Sequence, residues 1–376
     1  MLLPPRHLYL HVPFCARRCS YCDFSIAVRR HVPVEEYLAG LRGELQSRLT
    51  GTPRWELDTL YMGGGTPSLL GGEGVARVLA LLREYVSPEA GAEITLEANP
   101  DDITPEALLT WAESGVNRLS IGSQSFDDRV LAWMRRTHDA SAIVRAVGHA
   151  RSLGMDELSL DLIFALPETL GRDWAADLDR VISLEPPHVS LYGLTIEPST
   201  PLGRWRARGE LQEAPEERYE EEFLVAHDRL TAAGYEHYEV SSYAMPGHRA
   251  RHNASYWRRV PYLGLGPSAH SFDGEARRWN VPAYSEWAHR AAAGIDPIED
   301  GERLGAESRA AEETYLGLRT SDGLEISQTA VEEVKSWTDA GWAVLEGPRL
   351  RLTPTGWLRL DSLCEALTVG PSRYYI

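Results

Sequence analysis

Short runs of alternating apolar and polar residues end in glycine or a polar residue, and each gives way to a stretch whose apolar positions return every three or four residues. The runs Leu8–Pro13, Thr59–Met62, Glu93–Ala98, Arg118–Gly122, Glu157–Ala165 and Val189–Thr195 read as strands, with a weaker seventh at Tyr238–Ser242. Val34–Leu49, Gly74–Val86, Pro105–Glu113, Arg129–Leu153, Trp174–Leu184 and Glu216–Ala233 read as helices. Strand alternating with helix predicts parallel pairing, because parallel neighbours need a crossover long enough to hold a helix. The alternation argues for an α/β fold whose parallel sheet is closed or nearly closed into a barrel; the expected fold is a partial (β/α)6 barrel of the TIM type, with its reactive groups at the C-terminal strand ends.

From Arg303 the pattern changes to helix (Ala306–Leu318), helix (Ser327–Ala340), a two-strand run across Gly347-Pro348, and helix (Pro354–Leu367). This predicts three regions: the barrel over 1–245, a linker region over 246–302 packing on it, and a small helical, winged-helix-like domain over 303–376. Within the linker region, Met245–Asp273 is rich in Trp, Tyr, His, Arg and Gly and lacks periodicity, a mark of binding segments. A winged helix invites a DNA-binding reading. Residues 303–376 carry 8 Lys+Arg against 11 Asp+Glu, and the whole chain has a net charge of −17, so nucleic acid is not an expected partner. The acidic Pro215–Glu222 reads as a solvated helix face. The first residues, Met1 to His7, lack the pattern of a signal peptide, and no apolar run is long enough to span a bilayer. A cytoplasmic protein is expected.

The strand ends carry the candidate chemistry. The first runs into Cys15-Ala-Arg-Arg-Cys19-Ser-Tyr-Cys22, which holds three of the four cysteines. Thiolates this close can face one metal centre, and sulfur ligands select zinc, copper(I) or an iron–sulfur cluster. Zinc is the weaker reading, since no fourth Cys or His lies at a usual spacing. A cubane held by three protein thiolates would keep one iron open to another ligand. The second strand ends in Gly63-Gly64-Gly65-Thr66-Pro67, which lacks the Lys-Ser/Thr ending of a Walker loop and suits close backbone approach or a tight turn. Glu97, Gln124, Asp161 and Thr195 stand at or near the later strand ends.

The segment Tyr9-Leu-His-Val-Pro-Phe-Cys15 through Cys22-Asp-Phe24 resembles the radical S-adenosylmethionine (SAM) superfamily, in the branch that holds oxygen-independent coproporphyrinogen dehydrogenases and the HemW group of heme chaperones. The resemblance implies a 4Fe–4S cluster on Cys15, Cys19 and Cys22 with SAM on its open iron. It further implies SAM contacts from Tyr9, Gly64, Gly65, Thr66, Glu97, Gln124, Arg136, Asp161 and Thr195, with Tyr21 beside the cluster. His252-Asn-Ala-Ser-Tyr256-Trp257 looks like the heme-binding signature of the chaperones and makes His252 the expected heme ligand; the role of His270, in another matching segment, is open. Phe24 stands where the dehydrogenases have a further cysteine, and only 14 residues precede Cys15. The expected function is that of a heme chaperone, with the dehydrogenase reaction of porphyrin metabolism as the alternative. Its expected partners are heme and apo-hemoproteins, a membrane-bound cytochrome among them, and a homodimer is compatible with the sequence. Cys364 reads as a small buried apolar residue.

Overall fold

Strand β1 (His7–Val12) shows how the sheet is made: Leu8, Leu10 and Val12 are fully buried on one face, while Tyr9 and His11 take the other. The computed structural model describes residues 5–328 and 330–368 and forms two compact units, Met1–Ala214 with Pro261–Glu302, and Pro215–Val260 with Arg303–Ile376. Met1–Pro4, part of the segment inspected for a signal peptide, lie outside the described residues.

In the first unit β1 is followed by β2 (Trp55–Gly64), β3 (Val86–Ala98), β4 (Arg118–Gln124), β5 (Leu158–Phe164) and β6 (His188–Gly193). They pair in chain order, all parallel, with Tyr9 beside Tyr61, Met62 beside Leu96, Glu97 beside Ser120, and Asp161 beside Ser190. The second edge of β1 pairs in parallel with Tyr262–Leu265, and antiparallel strands His270–Phe272 and Ala276–Asn280 extend the sheet to Ile298–Arg303. Because β1 has a neighbour on each side and neither is β6, the barrel is partial.

The helices Val34–Leu49, Pro105–Glu113 and Trp174–Leu184 occupy their predicted ranges. Thr104 caps the second by accepting from the Ala107 amide, with Pro105 at the first helical position, and Asp173 caps the third through the Ala176 amide. The long helix predicted over Arg129–Leu153 is instead two, Asp128–Trp133 and Ala140–Ser152. Arg135 adopts a left-handed φ of 59°, which stops the first, and Asp139 accepts from Ala142 to start the second. The break carries Arg136.

The region 246–302 is divided between the units at Pro261, and it is not structureless: it holds the helix Arg251–Trp257 and the strands named above. The second unit contains the helix Glu216–Ala232 and, where the seventh strand was expected, a hairpin of Glu236–Glu239 and Ser242–Ala244. Its remainder is helical at Ala306–Leu318 and Ala330–Asp339, followed by the antiparallel pair Ala343–Glu346 and Arg349–Leu352, to which Leu324–Glu325 adds a third strand. The helix predicted over Pro354–Leu367 is interrupted between Pro354–Trp357 and Leu360–Leu367. His237 is the hub of this unit's core, stacked on Tyr243 at 3.9 Å and edge-on to Trp357 at 4.4 Å. Cys364 is fully buried.

Candidate metal centre

The cysteine loop is held before any metal is considered. Phe14–Cys15 pairs in parallel with Ala27–Val28, with the Ala27 amide donating to the Pro13 carbonyl (2.7 Å) and the Arg29 amide to that of Cys15 (2.9 Å). Inside the loop, the Ser20 amide donates to Met134 (3.1 Å) and its carbonyl accepts from Leu202 (2.9 Å). Nε2 of His11 lies 2.9 Å from the Ser25 carbonyl. A carbonyl can only accept, so Nε2 carries the proton and Nδ1 accepts from the Tyr9 hydroxyl at 3.1 Å. Burial lowers the His11 pKa to about 4, which keeps this neutral tautomer in place.

All four cysteines are free thiols. Thr66 Oγ1 approaches Cys15 Sγ and Arg136 Nη1 approaches Cys19 Sγ, both at 3.5 Å. Tyr21 packs against Val130, Met134, Ile163 and Leu166, which fixes the loop between the second and third cysteines. Burial pushes the Cys15 thiol up and that of Cys22 to about 11, so a bound cation must supply the free energy of deprotonation. Two buried donors nearby, the Ser20 hydroxyl and Arg136 Nε, have no hydrogen-bond partner. Among the described residues no three His, Cys, Asp or Glu side chains converge on a single-ion position. Three free cysteines with the Arg136 guanidinium beside Cys19 fit an anionic, sulfur-rich cluster, which the three thiolates would hold.

The strand ends form a connected polar lining. Glu97 Oε1 accepts from the Tyr61 hydroxyl (2.8 Å) and Oε2 from the Gly64 amide (3.0 Å), while Tyr61 stacks on Tyr9 at 6.2 Å. Gly64 has a φ of 113°, and a Cβ there would lie 2.6 Å from the His11 ring; a Cβ on Gly65 would lie 2.7 Å from the Pro13 and Phe14 backbone. Arg136 Nη2 donates to Asn99 Oδ1 (2.6 Å) and the Gly122 carbonyl (2.8 Å), which sets the guanidinium beside Cys19. Asp161 accepts from Ser120 (2.7 Å) and Ser159 (3.0 Å), and burial raises its pKa. Gln124 ends β4 with a left-handed φ of 66°, a conformation a non-glycine residue holds at a cost of about 1–3 kcal/mol. Thr195 is exposed beyond the end of β6. His11, Tyr61 and Asn99 are structural members that sequence reasoning did not single out; their shared trace is a polar residue within or at the end of an apolar strand.

Burial, with Asp161 adding to it, lifts Glu97 from 4.5 to about 7. The folded chain thus holds an extra proton relative to the unfolded chain between those values. The stabilising contribution is complete below about 4.5 and is lost as pH rises through about 7. Glu97→Gln is expected to remove this slope, so urea midpoints of the metal-free wild type and variant should diverge from pH 5 to pH 8, the wild type falling. Parallel midpoints would refute the assignment.

In the second unit, His252 is fully buried on the seven-residue helix Arg251–Trp257. Its Nε2 lies 2.8 Å from the Tyr256 hydroxyl, and the rings meet edge to face at 5.0 Å. Arg319 covers the Trp257 ring at 4.3 Å while pairing with Glu239 at 3.1 Å. His270, in the first unit, is exposed and stacks on Trp279 at 5.6 Å.

The profile described as the radical SAM superfamily matches residues 9–181. The heme chaperone HemW of Mycobacterium tuberculosis (strain ATCC 25618 / H37Rv) is 35% identical over 369 residues, covering 96% of this chain and 95% of that protein. The chain belongs to the HemW family of radical SAM proteins. The heme chaperone HemW of Escherichia coli (strain K12) is 40% identical over 269 residues, 71% of this chain and 70% of that one. Among solved structures, the coproporphyrinogen III oxidase HemN of Escherichia coli, a radical SAM enzyme, superposes with a TM-score of 0.82 at 22% identity, covering 97% of this chain and 91% of that one. That likeness shows the shared fold. Radical SAM proteins hold a 4Fe–4S cluster and SAM, the cofactors expected from the cysteine motif. Among the described residues no helix is long and apolar enough to cross a membrane.

Proposed function

We propose that this chain is a heme chaperone that binds heme through His252 and delivers it to apo-hemoproteins. Cys15, Cys19 and Cys22 would hold the 4Fe–4S cluster, with SAM on the open iron contacted by Tyr9, Gly64, Gly65, Thr66, Glu97, Gln124, Arg136, Asp161 and Thr195, and with Tyr21 beside the cluster. The cluster, when bound, would supply an open iron for SAM to chelate and a site for one electron. The chain's own residues orient it: Arg136 and Thr66 donate toward sulfur, while the His11–Ser25 contact fixes the loop.

One observation carries the reading. A pre-held loop presents three free thiols beside buried donors without partners, in a chain whose relatives are named heme chaperones over nearly its whole length. On the heme side, the Tyr256 contact competes with iron for His252 Nε2. Tyr256→Phe is therefore expected to tighten heme binding about five- to tenfold, the worth of one hydrogen bond of about 1 kcal/mol, whereas His252→Ala should remove the Soret shift. A heme titration followed by absorbance checks both, and an unchanged His252→Ala titration would refute the ligand. A cytoplasmic location, a membrane-bound cytochrome among the acceptors, and a homodimer belong to the same proposal.

The dehydrogenase alternative draws support from the HemN-like fold, while Phe24 in place of a further cysteine speaks against it. Incubation with coproporphyrinogen, SAM and reductant decides between them. Formation of protoporphyrinogen would favour the enzyme.

A further inference from the structure

Strand β4 does not leave the sheet by an ordinary route. At its last residue, Gln124, φ is 66°, and the Ser125 amide donates back to the Ser123 carbonyl at 2.9 Å. A hydrogen bond between residues two apart, closed across a positive φ, is the rare and strained form of γ-turn. Glycine would be at ease in it, yet the chain has glutamine. Strain of this kind persists only where the surroundings over-determine it.

The support is a buried ion pair. Asp177, on the helix Trp174–Leu184, and Arg172 lie 3.6 Å apart, with side chains 4% and 0% exposed. Asp177 accepts from the Ser125 hydroxyl (2.7 Å) and the Phe126 amide (2.8 Å), the residues that follow the turn. Arg172 donates to the Ile163 carbonyl of β5 (2.6 Å) and lies over the Trp174 ring at 4.5 Å, so the pair is itself anchored. His138 Nε2 contacts the Ser123 carbonyl at 3.2 Å, and Ser123 and Ser125 are fully buried. Turned in this way, the Gln124 carboxamide comes back over Gly122. Its Nε2 and Arg136 Nη2 each lie 3.1 Å from the point where a side chain on Gly122 would begin. Arg136 is fixed by Asn99 and the Gly122 carbonyl, whereas the Gln124 carboxamide forms no hydrogen bond among the described residues. A free carboxamide beside a guanidinium offers converging donors to the polar groups of a ligand.

We propose that Asp177 is a positioning residue for SAM: through Ser125 and Phe126 it holds the strained turn that presents the Gln124 carboxamide to the bound molecule. The inference rests on the reading of Gln124 as a SAM contact. Asp177 acts at one remove, through the backbone that follows the turn. Were the backbone to relax to a negative φ, the carboxamide would swing away from Arg136, and the grip on SAM would have to be rebuilt at each binding event.

The test measures binding of radiolabelled SAM to the full-length, anaerobically reconstituted chain by equilibrium dialysis. Asp177→Asn is expected to raise the Kd about tenfold or more, because only molecules that keep the turn bind, and Gln124→Ala to raise it about as much. Ser125→Ala removes one of the two bonds and leaves the ion pair intact, so about threefold is expected. Iron per chain should not change in any of them. In the Gln124→Ala background, Asp177→Asn should add less than about twofold, since the group it acts through is gone; a general packing defect would multiply instead. The strain has its own readout: the urea midpoint of metal-free Gln124→Gly should exceed that of Gln124→Ala, glycine being unstrained at this φ. Wild-type affinity in an Asp177→Asn chain that loads iron overturns the proposal, as does full multiplication in the double variant or a glycine variant no more stable than the alanine one. Should Asp177→Asn fail to fold, Ser125→Ala decides through the same cycle. Gln124→Ala with wild-type affinity overturns the reading of Gln124 as a contact, and the proposal with it; a loss in Gln124→Ala without one in Asp177→Asn overturns the positioning role alone.

Discussion

Glu44→Ala is expected to lower the stability of the first unit by about 3–5 kcal/mol, the cost of breaking a buried ion pair and removing the acceptor of buried donors. Glu44 is completely buried on the helix Val34–Leu49 and uses both oxygens. Oε1 forms an ion pair with Arg48 (2.8 Å) and accepts from Asn280 (2.7 Å); Oε2 accepts from the Gly266 amide (2.9 Å) and the Trp287 indole (2.8 Å). Arg48 in turn donates to the Gly264 carbonyl (2.8 Å), to Asp296 (3.0 Å) and to Asn280. One carboxylate thus ties the first helix to the strands that extend the sheet past β1. Its removal takes from a guanidinium whose side chain is 2% exposed one of its two carboxylate partners, and leaves the Gly266 amide and the Trp287 indole without an acceptor. Glu44→Gln keeps the volume and one carbonyl acceptor, so it should fall between wild type and alanine. The urea midpoint of the metal-free chain checks the ordering; an alanine variant as stable as wild type would contradict this account.

Gly64→Ala is expected to disable cluster loading. At φ 113° an alanine is strained by about 1–3 kcal/mol, and its Cβ meets the His11 ring at 2.6 Å, so the imidazole must move. The ring is held at both ends, by Tyr9 and by the Ser25 carbonyl, and its displacement releases the loop that presents the thiols. Iron incorporated on anaerobic reconstitution should fall to less than about half of the wild-type value, with full incorporation expected to be about four per chain. Gly51→Ala is the matched control: φ is 81°, yet nothing lies within 4 Å, so strain acts there without a clash. Equal iron uptake by both variants would show that the His11 contact is unimportant.

The strands and most helices were legible because burial imposes a period, two along β1 and 3.6 along Val34–Leu49, and because Thr104-Pro105 and Asp173 punctuate helix starts. The break at Arg135 was not, since no glycine or proline marks the left-handed turn there. The partition at Pro261 was equally hidden: the chain leaves the first unit and returns to it, and local pattern records no such excursion. Of the candidate ligands, the cysteine triad is marked in the sequence by its spacing. His11 and Asn99 are not marked, because their importance lies in whom they touch: His11 holds Ser25, fourteen residues on, and Asn99 aims Arg136 across 37 residues. The glycine run was legible as a close approach. What approaches Gly64 and Gly65 is the chain itself, the His11 ring and the Pro13–Phe14 backbone.

The short parallel pairing of Phe14–Cys15 with Ala27–Val28 means that iron does not have to shape its own nest. Much of the entropy of closing the loop is met by amide bonds and a neutral imidazole. A loop set in this way would keep the three sulfurs near their stations without metal, so that loading becomes a matter of supplying iron and sulfide rather than of refolding the polypeptide.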